Sequence, residues 1–226
     1  YSVQDQNIVI FGGSSEIAIE LNNILNTKKH KNFTISRRSS SHDYPNSLII
    51  NNYLEDYEKI KNEIKKLNNV IVVFFNGHLS ENRDQYSPNL DEIIKTDEIN
   101  FTVPYYLSLN LNNDLNNIKQ FVYISSMAAV KPRYKNYIYG LSKRKLEESI
   151  KNLELPSYLI IRYGKVSTKM SEDHKNPPFT LSVNDAANFI YKNINKTGIQ
   201  YPKLGLKILS LIIKVLPGRI IKKIGL

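Results

Sequence analysis

The sequence predicts an α/β fold in a single domain, a doubly wound parallel sheet with helices on both faces. Three observations predict it. Short β-type runs alternate with helical segments, the pattern of strand–helix–strand crossovers. One of the runs, Val70–Phe75 (VIVVFF), is fully apolar, as expected of a parallel strand buried on both faces. A glycine-rich turn, Gly12-Gly13-Ser14-Ser15, joins the first run to the first helix. The 226 residues suffice for one sizeable core and are few for two.

Taken in order, Asn7–Phe11 is the first strand, and Glu16–Leu25 opens a helix with Ile17, Ile19, Leu21 and Leu25 as apolar contacts. Asn32–Ser36 is a second strand, followed by the polar loop Arg37–Pro45, and Ser47–Ile50 a third. A polar helix spans Asp56–Leu67 with Asp56 as its N-cap. Val70–Phe75 is the fourth strand. Leu90–Leu111 reads as one long helix that tolerates Pro104 at some cost. Gln120–Ser125 is a fifth strand, Tyr137–Leu153 a helix and Ser157–Arg162 a sixth strand. Residues 165–180 are irregular and polar, Val183–Asn193 is a helix, and 203–226 form a basic, apolar tail. The domain thus spans 1–202, with 203–226 as an appended tail; no internal repeat or linker divides the chain.

The most specific chemistry is Tyr139-Gly-Leu-Ser-Lys143, thirteen residues after Ser126. A tyrosine and a lysine four apart share one helix face. An ammonium there favours the tyrosinate and lowers the phenol pKa from its usual ~10. A phenol so tuned exchanges a proton near neutral pH, and Ser126 can bond the same substrate oxygen. This equipment suits movement of a hydride to or from a carbonyl carbon. Alone, such a tyrosine–lysine pair is a weak signal; with the upstream serine and the N-terminal turn it is a strong one.

The turn itself, Gly12-Gly13-Ser14-Ser15-Glu16-Ile17-Ala18, has the strand–turn–helix context of a phosphate site, where glycines admit a pyrophosphate and the helix N-terminus supplies partial positive charge. It is not a full G-x-G-x-x-G, and an ordinary strand-to-helix turn fits the motif equally well. The end of the second strand sharpens the reading. An acid there would bind the 2′-hydroxyl of NAD; this chain instead has Ser36-Arg37-Arg38-Ser39-Ser40-Ser41. Guanidinium groups match a 2′-phosphate, which favours NADP over a merely solvated basic loop.

There is no cysteine, hence no disulfide framework or thiolate metal site, and the four histidines (His30, His42, His78, His174) lack metal-ligand spacing, so no metal is expected. The net charge of +10 is uneven. Lys203, Lys207, Lys214, Arg219, Lys222 and Lys223 stand in the tail without an acid, leaving 25 basic against 21 acidic residues, a net +4, in the rest. No signal peptide is expected from the N-terminus, and no apolar run reaches the ~18 residues of a membrane span, which points to a cytoplasmic location.

These residues together resemble the short-chain dehydrogenase/reductase family over about residues 6–200. The resemblance implies a Rossmann-type fold, NADP(H) as cofactor and oxidoreductase activity. In the family's T-G-x-x-x-G-x-G turn the glycines fall on Gly12, Glu16 and Ala18, so two of three are replaced. The adenine-side acid falls on Asn52, and the N-N-A-G segment is reduced to Phe75-Asn76-Gly77. The family's catalytic asparagine, serine, tyrosine and lysine fall on Asn100, Ser126, Tyr139 and Lys143, all intact. The resemblance implies that Asn100 holds a water, that Lys143 also binds the nicotinamide ribose, and that Val166 and Thr168, after Tyr163-Gly164, lie near the nicotinamide amide.

Within the family the chain is similar to the decaprenylphosphoryl-2-keto-erythro-pentose reductase subgroup. It shares the turn Gly12–Ile17, Glu98–Thr102, Tyr139–Lys143, the loop Thr168–Ser171 with Pro177–Thr180, and Leu216-Pro217-Gly218-Arg219 in the basic tail. That likeness implies a keto-sugar on a polyprenyl phosphate as substrate, a role in cell-envelope glycan synthesis, a flavin oxidase partner that supplies the ketone, and a peripheral position on the inner face of the plasma membrane. The tail is dense in apolar residues with positive charge only, which suits an anionic membrane interface. It also fits the substrate-covering helices and dimer contacts of the family, and a homo-oligomer is expected. Nucleic acid is not, since the tail lacks base-reading and stacking residues. A soluble carbonyl or 3-oxoacyl reductase and a non-catalytic NADP-binding scaffold or sensor remain the alternatives.

Overall fold

The apolar runs of the sequence become neighbouring strands of one sheet. They are β1 (Asn7–Phe11), β2 (Lys31–Ser36), β3 (Ser47–Ile49), β4 (Val70–Phe74), β5 (Ile118–Ser126), β6 (Tyr158–Tyr163) and β7 (Gly198–Gln200). All pairings are parallel, in the order β3-β2-β1-β4-β5-β6-β7. The computed structural model describes residues 6–37, 44–79, 89–132, 136–169 and 177–217.

Alternation along the strands splits the core into two layers. Val9, Phe11, Val72, Phe74, Phe121 and Tyr123 point to one face. There they meet α2 (Tyr57–Lys65), α4 (Val103–Asp114) and α5 (Tyr137–Lys151) through residues such as Ile60, Leu107 and Ile150. Ile8, Ile10, Ile71, Val73 and Val122 point to the other face, toward α1 (Glu16–Thr27) and α6 (Val183–Asn193). Every residue of β4 is buried, as its unbroken apolar run requires.

Strands run outward in both directions from the β1–β4 pair, so the connections after Phe11 and after Phe74 diverge. Such a switch point opens a crevice beyond the carboxyl ends of the strands. This is a Rossmann-type doubly wound fold.

Four features differ from the expectations. β7 is a seventh strand; with Ile199 as its one apolar residue it carries almost no β signal in the sequence. The long helix is continuous from Leu90 to Asp114 but contains a π-helical turn at Glu98–Thr102, between α3 (Leu90–Asp97) and α4. Pro104 lies directly after the π-helical turn, at the second position of α4, with helical backbone unbroken on both sides. Asp56 holds the N-cap position of α2 without capping it; its carboxylate accepts instead from the main-chain N–H of Asn51 (2.8 Å) and Asn52 (3.1 Å). In the tail, α7 (Leu204–Val215) packs Leu206 and Ile213 against Met127 and Val130, with Leu209 and Leu216 alongside. Arg38, Ser39–Ser41, Met170 and the residues beyond Pro217 lie outside the described residues.

Candidate active site

Gly12 ends β1 in the left-handed region (φ 77°), which glycine adopts freely. A β-carbon there would stand 3.1 Å from the Phe75 carbonyl carbon and the Asn76 nitrogen. The backbone of the turn thus lies directly against the segment after β4. Ser14 is exposed and Ser15 takes the N-cap of α1 without a side-chain capping bond, while Ile17 turns into the core. The carboxylate of Glu16 accepts from the main-chain N–H of Lys169 (2.8 Å), tying the turn to the loop after β6. In that loop Val166 is buried and bridges Leu181, and the Thr168 N–H donates to the Val166 carbonyl (2.9 Å).

Arg37, exposed at the end of β2, places its guanidinium 5.8 Å from the Tyr53 ring centroid. Together with Asn52, Tyr53, Asn76, Glu98, Ile99 and Val103 it lines a narrow cleft. Tyr53, which the sequence reading did not single out, stands at its centre. Its buried hydroxyl meets the Gly12 backbone and the Asn76 side chain, while burial pushes its pKa up. The Asn52 side chain is taken by the main-chain N–H of Leu54 (2.8 Å). The Asn76 side-chain oxygen is buried with no hydrogen-bond partner.

Ser126 ends β5, and Tyr139 and Lys143 lie on α5. The Ser126 hydroxyl accepts from the Ala128 N–H (3.1 Å) and stands near enough to the Tyr139 phenol to lower its pKa. Lys143 Nζ lies 6.0 Å from the Tyr139 ring centroid and donates to the carbonyls of Asn76 (3.0 Å) and Ile124 (3.1 Å). Gly77 passes close to both Lys143 Nζ and the Asn100 side chain. Asn100 sits within the π-helical turn and is fully buried. Its amide accepts from His78 N (2.7 Å) and donates to His78 O (2.9 Å) and Ser142 Oγ (3.1 Å); Ser142 in turn donates to the Tyr139 carbonyl (2.9 Å). The Asn100 side chain is therefore engaged with the β4 loop and α5. A wide helical turn of this kind often marks a functional position.

The electrostatics correct one expectation. Burial pushes the Tyr139 phenol up to about 12, the nearby Ser126 hydroxyl acting against it. Lys143 does not bring it down: its protons point to two carbonyls, and burial lowers its own pKa to about 8, with Glu147 acting against that fall. The pair at neutral pH is a neutral phenol beside an ammonium.

The structure thus brings together Arg37, Asn52, Asn76, Gly77, Lys143, Tyr139, Ser126 and Asn100 along the crevice, with Gly12 at its floor and Glu16 and Thr168 on the loop side. Arg38 lies outside the described residues. Among the described residues no cluster of three or more potential metal ligands occurs, and no helix is long and apolar enough to cross a membrane.

Solved structures match this architecture over nearly its whole length. The chain has the short-chain dehydrogenase/reductase fold. It is similar to a short-chain dehydrogenase from Burkholderia cenocepacia in complex with NADP, with TM-score 0.79, 13% identity, and 99% of this chain and 98% of that one covered. A short-chain dehydrogenase from Sphingobium yanoikuyae in complex with NADPH matches with TM-score 0.72 and 14% identity over 94% and 96% of the two chains. The 3-oxoacyl-[acyl-carrier protein] reductase of Brucella melitensis in complex with NAD does so with TM-score 0.72 and 15% identity over 92% and 99%. At these identities the likeness is one of fold. No protein-family model and no curated protein sequence matches the chain.

Proposed function

We propose that this chain is an NADP(H)-dependent oxidoreductase that reduces a ketone, with a keto-sugar on a polyprenyl phosphate as the substrate class. The observation that carries the reading is the meeting of Ser126, Tyr139, Lys143 and Asn100 at one end of the switch-point crevice. The crevice fits a phosphorylated dinucleotide. Gly12 lets the turn close against the segment after β4, the α1 N-terminus favours a pyrophosphate, and Arg37 suits a 2′-phosphate. The unpartnered Asn76 oxygen accepts a donor there. Glu16, turned to Lys169 N, binds protein and not phosphate, and Val166 and Thr168 stand ready for the nicotinamide amide. The bound nicotinamide supplies a hydride to the ketone carbon.

Tyr139 gives the ketone oxygen its proton. Because burial keeps the phenol protonated up to about pH 12, the donor form is the populated one at neutral pH. Ser126, beside that phenol, would bond the same oxygen and steady the charge that develops on it. The Lys143 ammonium, present below about pH 8, holds the Asn76 and Ile124 carbonyls in place beside Tyr139 and would donate to the nicotinamide ribose. Asn100 fastens the β4 loop to α5 and so holds Tyr139 in line.

The lipid-linked substrate is supported by α7. Its inner side covers Met127 and Val130, the turn directly after Ser126. Its outer side exposes Leu204, Ile208, Leu211, Ile212 and Val215, with Lys207 and Lys214 on the same helix. An apolar, cationic surface therefore borders the candidate active site, as a phosphate-bearing lipid and an anionic membrane face require. The role proposed is cell-envelope glycan synthesis at the inner membrane face, with a flavin oxidase as source of the ketone. A second reading, a 3-oxoacyl reductase using the same residues, draws on the fold likeness to the Brucella melitensis enzyme.

Tyr139→Phe tests the chemistry. It should lower NADPH-dependent ketone reduction by ~10²-fold or more while leaving NADPH binding, followed by its fluorescence, intact. Wild-type protein that binds NADPH but oxidises none across a panel of ketones, polyprenyl-phosphate keto-pentoses included, would be a non-catalytic NADP-binding scaffold.

A further inference from the structure

Three consecutive residues of β5 address three residues of α5. Ser126 faces Tyr139, the Ile124 carbonyl takes Lys143 Nζ, and Ser125 Oγ donates to Glu147 Oε1 (2.6 Å). The first two belong to the chemistry above; the third does not. Glu147 and Arg162 are 2% and 5% exposed and form an ion pair beneath the site. Arg162 stands opposite Ser125 in the β5–β6 ladder. Its Nε donates to both carboxylate oxygens (2.9 and 3.1 Å) and its Nη2 to Oε2. Its Nη1 donates to the Tyr201 hydroxyl (2.6 Å), just ahead of α7.

A buried ion pair is poor value as a stabiliser, since desolvation of both charges offsets their attraction and apolar replacements are often neutral. Its placement suggests another use. Lys143 is 3% exposed, and its two hydrogen bonds go to neutral carbonyls. Glu147 lies one helical turn further along the same face. Other charged or titratable groups on the surrounding elements are Tyr139 on α5, Arg162 on β6, His78 after β4, and Glu92, Asp97 and Glu98 on the α3 segment. His78 is paired with Glu92, Asp97 with Lys145, and Arg162 faces Glu147. Among these Glu147 is the group that favours the Lys143 ammonium.

We propose that Glu147, fixed by Arg162 and Ser125, is a positioning residue that keeps the buried Lys143 charged and so sets the alkaline end of the working range. The proposal rests on the reading of Lys143 as part of the reductase chemistry. Arg162 prevents the carboxylate from turning onto Lys143 and forming a closed pair, which leaves the ammonium directed at the crevice loop. The Tyr201 hydroxyl completes the acceptor set around Arg162 and joins this support to the base of α7.

The experiment follows Lys143 directly, in the full chain without cofactor, by NMR of side-chain-labelled lysine, with the signal assigned by its loss in Lys143→Met. Glu147→Gln keeps the size and the Ser125 acceptor but removes the charge. Its Lys143 midpoint should fall by about one pH unit, and the alkaline limb of ketone reduction should move down with it. Because stranding Arg162 threatens the fold, Glu147→Gln/Arg162→Met is measured alongside and should shift in the same direction. A midpoint that stays in place in either folded variant overturns the proposal, even if turnover drops. Were the wild type to oxidise no NADPH, the reductase reading would fall, while the NMR shift would still report on the Glu147–Lys143 coupling.

Discussion

Burial disfavours the charged forms of both Tyr139 and Lys143, and the sign of each shift has a measurable consequence. The folded Lys143 pKa of about 8 lies below the ordinary 10.5, so the protonated amine is penalised in the fold. Below about pH 8 that penalty is fully present; it is relieved as pH rises toward 10.5. The melting temperature of the wild type relative to Lys143→Met should therefore climb across this window in scanning calorimetry, and a flat difference would show an ammonium still in water. The sequence made the proximity of the two side chains legible, since four residues on a helix bring them to one face. It did not make the direction of the Tyr139 shift legible. That follows from burial by segments far away in the chain, and a spacing rule carries no information about water. Tyr53 and Glu147 escaped notice for the same reason: their importance comes from what lies across the fold, not beside them in sequence.

At the scale of elements, the site depends on how closely α5 approaches the turn after β5. Gly140 makes that approach possible: a β-carbon there would stand 2.7 Å from the Ala128 carbonyl oxygen. Gly140→Ala must push the helix from the Met127–Ala129 turn and part Tyr139 from Ser126. Denaturant unfolding should show a loss of about 1–3 kcal/mol, and ketone turnover should suffer more than NADPH affinity. The strands were readable because unbroken apolar runs have few other uses in a chain of this size; Asn7–Phe11 and Val183–Asn193 form with the bounds their patterns indicate. Gly198–Gln200 was not, since an edge strand with one apolar residue has no periodicity. Leu90–Leu111 is continuous helix as its pattern indicates, but its π-helical turn was not readable, because it changes hydrogen bonding without changing composition. Pro104 was the available clue, and it marks where regular helix resumes.

For the molecule as a whole, the basic charge and the apolar side of α7 fall together beside the crevice. The intact chain should sediment with liposomes rich in anionic lipid, and Leu211→Glu/Ile212→Glu should release it without loss of reduction of a soluble ketone. Failure of the wild type to sediment would favour the soluble 3-oxoacyl reductase. The sequence showed the tail's composition; which side faces inward became clear only from Met127 and Val130, far upstream. Distance along the chain also governs when the site comes into being. Glu16 reaches the Lys169 amide across 153 positions, so this latch cannot close while a ribosome has delivered only the first five strands. A loop spanning that much polymer is slow to close, and it closes only after β6 has docked. The N-terminal half, though it contains the glycine turn, thus stays an unfinished crevice during synthesis until the loop carrying Lys169 has been delivered.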